Sequence, residues 1–318
     1  MSDRRVVLGI DTSNYTTSVA LMGLDGELIA NVKRPLEVKA GERGLRQSDA
    51  VFSHIKNIPS AMEEASRYLG GNTVVAVGVS KRPRNKDGSY MPCFLSGVAV
   101  AEGIARASDI PLFAFSHQCG HIMAALYSSG RCELCERDFG AFHISGGTTE
   151  LLYVRSGEGG FDTEIVGGTL DLNAGQIIDR IGVLMGLPFP SGRYMEELAL
   201  GFCGKLPRRR VCVKETYVNL SGLENIAAEL YRKSKDKALV STFVLDYLGR
   251  AITDMCRGFR EKYGQMPLLL AGGVMSNSII KDMLKRSLSD IYFAEPALSA
   301  DNAVGIAALA RESYLKEI

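Results

Sequence analysis

Two kinds of apolar pattern alternate along this chain. Short continuous or alternating runs, bounded by Gly, Asp, Asn and Ser, predict strands. Longer stretches with apolar residues every three or four positions predict helices. Val6, Val7, Leu8 and Ile10 form a buried strand, and Ser18 to Leu21 begins its return. Asp25-Gly26 is a tight turn into a further strand over 27–32. In 42–68, Val51, Ile55, Ile58, Met62 and Ala65 recur at helical spacing. Strands are predicted at 74–79 and 111–115, with a small-residue helix at 94–107 between them. Residues 139–154, FGAFHISGGTTELLYV, read as two strands around a turn. A helix follows Asp171 and ends at Pro188 to Gly192, and helical segments run to about Lys262. Leu268 to Asn277, LLLAGGVMSN, reads as a buried strand, a glycine pair and a helix start. The last helix begins after Asp301-Asn302.

The turns carry the candidate chemistry. In Ser145-Gly146-Gly147-Thr148-Thr149, adjacent glycines permit positive φ and close approach of another group. Hydroxyls and bare amides there make an anion-sized cradle; the same residues also suit an ordinary hairpin turn. Asp11, Thr12, Ser13, Thr16 and Thr17 crowd the first turn, which suits a hydrated cation or a phosphate, or side chains satisfying their own backbone. The glycine pair at 272–273 suits a phosphate or ribose at a helix N-terminus.

His117 and His121 stand four residues apart, which on a helix puts both imidazoles on one face, able to share one metal ion. Gly120 between them is a poor helix former, so they belong in a first turn. Two ligands are not a site. Asp301 is either the N-cap of the last helix or the third ligand. Cys132 and Cys135 form a CxxC with no second pair, so loop thiols compete with a metal or redox role.

Composition narrows the rest. At 318 residues the chain can bury a large core. The net charge of +1 gives no global basic field, so any nucleic acid must meet a local patch or a partner protein. The basic clusters are Lys81, Arg82, Arg84 and Lys86 in one loop and Arg208 to Arg210 in another. No apolar run at the N-terminus is long enough for a signal peptide or membrane span, which predicts a cytoplasmic protein with reduced cysteines.

Together GIDTS at 9–13, HxxxH at 117–121, ISGGTT at 144–149, GGTLD with the following AG and Asp179, NLSGL at 219–223, AGGVMSN at 271–277 and ADNAVGIAALA at 300–310 resemble the TsaD family. That family, also called glycoprotease-like or M22, belongs to the actin-like, sugar kinase and Hsp70 ATPase superfamily. The resemblance covers nearly the whole chain. It implies an α/β, two-lobed actin-like (ribonuclease H-like) fold with a nucleotide between the lobes. The N-terminal lobe would be 1–115, with 303–318 packing back on it. The C-terminal lobe would be 116–302, with a helical insertion at about 190–262.

The resemblance further implies an acyltransferase. It would move threonylcarbamoyl from threonylcarbamoyl-AMP to N6 of the adenine 3′ to the tRNA anticodon. His117, His121 and Asp301 would hold one divalent metal ion, iron or zinc. Ser145, Gly146, Gly147, Thr148 and Thr149 would face phosphate, with Thr12 in the first turn. Asp179 and Gly192 would hold ribose or threonyl groups, and Asn277 would lie near the adenine. The bound nucleotide would be the adenylate, ATP or AMP, with magnesium as a further option. Partners would be tRNA, a degenerate paralogue and a small ATPase, with a homodimer as a further option and no membrane. The family's SGGHT, TSCDET and IDDAAG read here SGGTT, TSNYTT and LDLNAG, and its Gly-Pro-Gly-Leu loop is replaced by 81–90. These departures leave open a diverged paralogue: a nucleotide-dependent small-molecule kinase or carbamoyltransferase with Asp11 as base, or a non-catalytic partner of a true family member.

Overall fold

The computed structural model describes residues 4–13, 15–37, 45–86, 88–157, 160–295, 298 and 303–318. Asp301 lies outside them. The chain divides into two units: Met1–Glu136 with Ser156–Asp162 and Ala297–Ile318, and Arg137–Arg155 with Thr163–Pro296. No helix among the described residues is long and apolar enough to cross a membrane.

The first unit is built on five strands. β1 (Arg5–Asp11), β2 (Thr16–Gly23) and β3 (Leu28–Pro35) form an antiparallel meander. β4 (Thr73–Arg82) and β5 (Leu112–Ser116) add parallel strands on the other side of β1. The order is β3-β2-β1-β4-β5. Alternation along β1 decides what covers each face. Val6, Leu8 and Ile10 pack with Ala61 and Ala65 of α1 (Gln47–Ser66) and Ala101 and Ala105 of α2 (Phe94–Ser108). Each large aliphatic buried there contributes about 1.5–3 kcal/mol.

α3 (His117–Ser128) closes this unit with the C-terminal helix, whose range follows below. α3 therefore extends the first unit to Glu136, past the boundary expected at 115.

The second unit centres on a seven-stranded sheet, order β12-β11-β6-β7-β8-β10-β9. Its strands are β6 (Phe139–Ile144), β7 (Thr149–Gly157), β8 (Gly160–Thr169), β9 (Val213–Lys214), β10 (Tyr217–Val218), β11 (Leu268–Ala271) and β12 (Ile291–Phe293). β6 and β7 pair antiparallel, with Phe142 opposite Leu151 and Ile144 opposite Thr149. β11 runs parallel to β6 on its other side. The helices are α4 (Ala174–Leu184), α5 (Gly192–Leu200), α6 (Ser221–Ser234), α7 (Lys237–Tyr263) and α8 (Ser278–Ser287). Phe142, Ile144 and Leu151 share one core with Phe243, Leu248 and Phe259 of the long α7.

The C-terminal helix is α9 (Val304–Glu317), buried from Val304 to Ala310. It crosses α3 backbone to backbone: a Cβ at Gly305 would meet the Gly120 carbonyl oxygen at 1.8 Å, and one at Gly120 would meet Ile306 at 2.9 Å. Gly120 is tolerated inside the histidine pair because the crossing admits no side chain.

One strand is new and two expectations change. β8 joins the sheet although Asp162 and Glu164 break its apolar run. The region 190–262 is not wholly helical, because the two-residue strands β9 and β10 extend the sheet edge. The glycine pair after β11 opens into a 3-10 turn, Gly273–Ser276, and the α-helix starts only at Ser278, capped by Asn277.

Candidate active site

Within the first unit, Asp11 ends β1 and His117 opens α3. Ser116 caps that helix, its hydroxyl accepting from the Cys119 amide at 3.2 Å. His117 Nδ1 lies 2.9 Å from Asp11 Oδ2. A carboxylate can only accept, so Nδ1 carries a proton toward Asp11 and Nε2 points away from it. His121 Nε2 lies 2.9 Å from that atom, with the ring centroids 4.3 Å apart. Two Nε2 atoms thus converge on one point at the start of one helix.

Asp11 is 1% exposed. Burial works against its charge, but His117, by charge and by hydrogen bond, and the hydrogen bonds from Ser80 and Ser13 outweigh it and hold the carboxyl below its ordinary value. Oδ1 accepts from the Ser13 amide and the Ser80 hydroxyl, and Oδ2 accepts from His117. With both oxygens engaged, Asp11 orients an imidazole and has no spare oxygen to act as a substrate base. Thr12 is likewise turned inward. It is fully buried, donates to the Cys93 carbonyl at 3.0 Å and accepts from the Gly97 amide at 3.1 Å. Thr17 pairs with the buried His54. The polar first turn mostly satisfies its own fold.

Among the described residues, no group of three His, Cys, Asp or Glu side chains is placed to hold a metal. The pair His117 and His121 nonetheless fits a metal by its chemistry. Both are imidazoles sharing one focus, and one has its far nitrogen held by a buried carboxylate, the orientation that metal-binding histidines use. Cys132 and Cys135 sit in a 3-10 turn as free thiols. Burial, followed by the charge of Glu312, pushes both up to about 11, which disfavours the thiolate that metal or redox chemistry needs.

In the second unit, the glycine-rich turn is closed more tightly than expected. Ser145 Oγ accepts from the Gly147 and Thr148 amides at 3.3 and 3.1 Å, so those amides are not bare. Neither Gly146 nor Gly147 takes a positive φ, but a Cβ at either would meet nothing within 4 Å. Their outer side is open to a ligand. Thr149 is 3% exposed, and its hydroxyl accepts from the Ala174 amide at 3.0 Å. It satisfies the first amide of α4, whose N-cap is Asn173. Gly175 lets α4 close on this turn; a Cβ there would meet the Gly146 nitrogen at 2.6 Å.

The turn opens on a cavity of about 550 Å³ inside this unit, within the range of small-molecule sites. Gly146, Asp179, Gly192 and Asn277 line it together, as do Gly273 and Ser276 after β11. Asp179 Oδ1 accepts from the Ser191 amide at 2.8 Å, tying α4 to the start of α5. Among the described residues no protein donor reaches its Oδ2. Asn277 is 6% exposed, and its Oδ1 accepts from the Ile280 amide at 3.1 Å. Phe189, Arg193, Tyr194 and Glu196 also line the cavity and were not read from the sequence. Phe189 is 73% exposed, a flat apolar face at the rim. Glu196 accepts from the Ser278 amide at 2.7 Å and joins α5 to α8. The only available signal for them was proximity to the PFPSG turn.

Known proteins share this fold. A solved HypF structure in phosphate- and nucleotide-bound form aligns with a TM-score of 0.57 at 12% identity, covering 98% of this chain and 47% of that one. A ROK hexokinase from Thermus thermophilus aligns at 0.52 and 14% identity, covering 98% and 100%. At those identities they establish the actin-like, sugar-kinase fold alone. The tRNA N6-adenosine threonylcarbamoyltransferase of Streptococcus suis is 32% identical over 335 aligned positions, covering 100% of this chain and 95% of its own length. The sequence model of the TsaD family, described as tRNA N6-adenosine threonylcarbamoyltransferase, matches residues 27–308. The chain belongs to the TsaD family.

Proposed function

We propose that this protein transfers a threonylcarbamoyl group from threonylcarbamoyl-AMP to N6 of the adenine 3′ to the tRNA anticodon. As a TsaD member the chain is an acyltransferase acting in tRNA modification. The observation that carries the finer reading is the cavity of the second unit, where an open glycine turn, a carboxylate with one oxygen that no donor among the described residues reaches, and a capping asparagine meet.

The AMP part occupies this cavity. The Gly146 and Gly147 edge admits phosphate, Asp179 Oδ2 accepts from a ribose or threonyl hydroxyl, and the Phe189 face covers the base. The N6 amine attacks the carbamoyl carbon, the bond from that carbon to the phosphate oxygen breaks, AMP leaves with the electron pair, and N6 gives up one proton to solvent. No side chain need form a covalent intermediate; orientation supplies most of the acceleration.

His117, His121 and Asp301 would hold a divalent metal, iron or zinc, and that ion when bound supplies Lewis-acid polarisation of a carbonyl oxygen. Asp11 orients the His117 ring through its Nδ1, with Nε2 on the side facing His121. Catalysis by Asp11 as a kinase base is disfavoured by its engaged oxygens. The degenerate paralogue and small ATPase remain part of the proposal as partners. The test is AMP release from synthetic threonylcarbamoyl-AMP in the presence of these partners. Release that depends on tRNA supports the reading, and release at the same rate without tRNA overturns it.

A further inference from the structure

The second unit carries a further cavity besides the one lined by Gly146 and Asp179. It is a groove of about 1380 Å³ between the 201–212 connection and helices α6 and α7. Lys205, Arg208, Arg209, Arg210 and Arg250 line it, against one carboxylate, Asp246. That carboxylate is taken by Arg250 at 2.8 Å. Lys205 and Arg208 to Arg210 are exposed, and among the described residues none of the four forms an ion pair. Arg250 also donates to the Arg209 carbonyl at 2.8 Å, which fixes the backbone of the arginine run. On a chain of net charge +1 this concentration of cations is local.

We infer that this groove binds the phosphate backbone of the tRNA substrate, at a site separate from the nucleotide cavity. Its floor is aliphatic, from Leu206, Leu230 and Leu239, and no aromatic residue is among its described lining residues. That combination suits backbone contact without base readout. The volume exceeds that of ordinary small-molecule sites, which favours a polyanion over a single phosphate. α5 links the two sites. Its first residues line the nucleotide cavity, and the chain enters the groove just past its last. A nine-residue helix is about 13 Å long, so one RNA strand can span both.

This inference rests on the proposed tRNA function, and its test separates the two. Filter binding of a tRNA transcript to the full chain with its partners, over about 50–200 mM salt, compares wild type with Arg208→Ala/Arg209→Ala/Arg210→Ala and with the triple Lys variant. AMP binding and thermal melting are run beside it as controls, since these side chains are exposed. The expected result is at least a tenfold loss of tRNA affinity in the Ala variant, a salt slope shallower by about 2, unchanged AMP binding, and recovery in the Lys variant. Wild-type binding with equal affinity and slope in the Ala variant overturns the groove assignment, and an acidic protein surface then becomes its better occupant. Failure of the wild type to bind tRNA overturns the functional reading and the groove with it.

Discussion

His117 Nδ1 sits 2.9 Å from the buried Asp11 Oδ2, at the junction of the first strand and the third helix. This contact fixes which imidazole nitrogen faces Asp11 and which faces His121. In Asp11→Asn the amide can present its NH₂ to His117 and favour the other tautomer. The expected outcome is a loss of metal affinity and transfer activity of about 10–100-fold, with the fold kept. Metal titration followed by equilibrium dialysis reads the first, and unchanged affinity would show that Asp11 serves only the fold.

Gly175 tests the closure of α4 on the glycine turn. A Cβ there meets backbone atoms of Gly146 at 2.6 and 2.7 Å, and backbone cannot swing aside as a side chain can. Gly175→Ala should cost about 1–3 kcal/mol and weaken AMP binding. Urea midpoints and calorimetry measure the two. A neutral midpoint would mean that the turn yields easily.

Thr149→Val removes a buried hydroxyl that accepts from the Ala174 amide. The orphaned amide should cost about 1–2 kcal/mol, seen as a lower denaturation midpoint. If Thr149 instead bound phosphate, AMP affinity would fall and stability would not.

Asp171 gives a pH signature. Its carboxylate accepts from the Leu172, Leu220 and Ser221 amides at 2.6, 2.7 and 3.1 Å, capping α6. Burial opposes its charge, yet these bonds, with the Ser221 side chain, bring it from 3.8 to about 2. A folded value below the unfolded one stabilises above the unfolded pKa and is lost as pH falls through the folded one. The stability gap between wild type and Asp171→Asn should be full at neutral pH and close between pH 3.8 and 2. A gap independent of pH would contradict this assignment.

The sequence was most informative where a local period or turn settled the structure. The alternation of Val6, Leu8 and Ile10, and the four-residue step from His117 to His121, need only neighbouring residues to be read. β8 was hidden because Asp162 and Glu164 interrupt its apolar run, and its place depends on partners distant in the chain. Thr12 and Thr149 look like ligand hydroxyls in one dimension, but the amides they serve, Gly97 and Ala174, lie 85 and 25 residues away. The arginine groove needed α6 and α7 to give Arg208 to Arg210 a shape.

The most direct measurement is nucleoside analysis of tRNA incubated with threonylcarbamoyl-AMP, the protein and its partners, for wild type and for His117→Ala/His121→Ala. The account predicts N6-threonylcarbamoyladenosine with wild type, and its near-complete loss together with bound metal in the double variant. Absence of the modified nucleoside with a folded, metal-loaded wild type would contradict it.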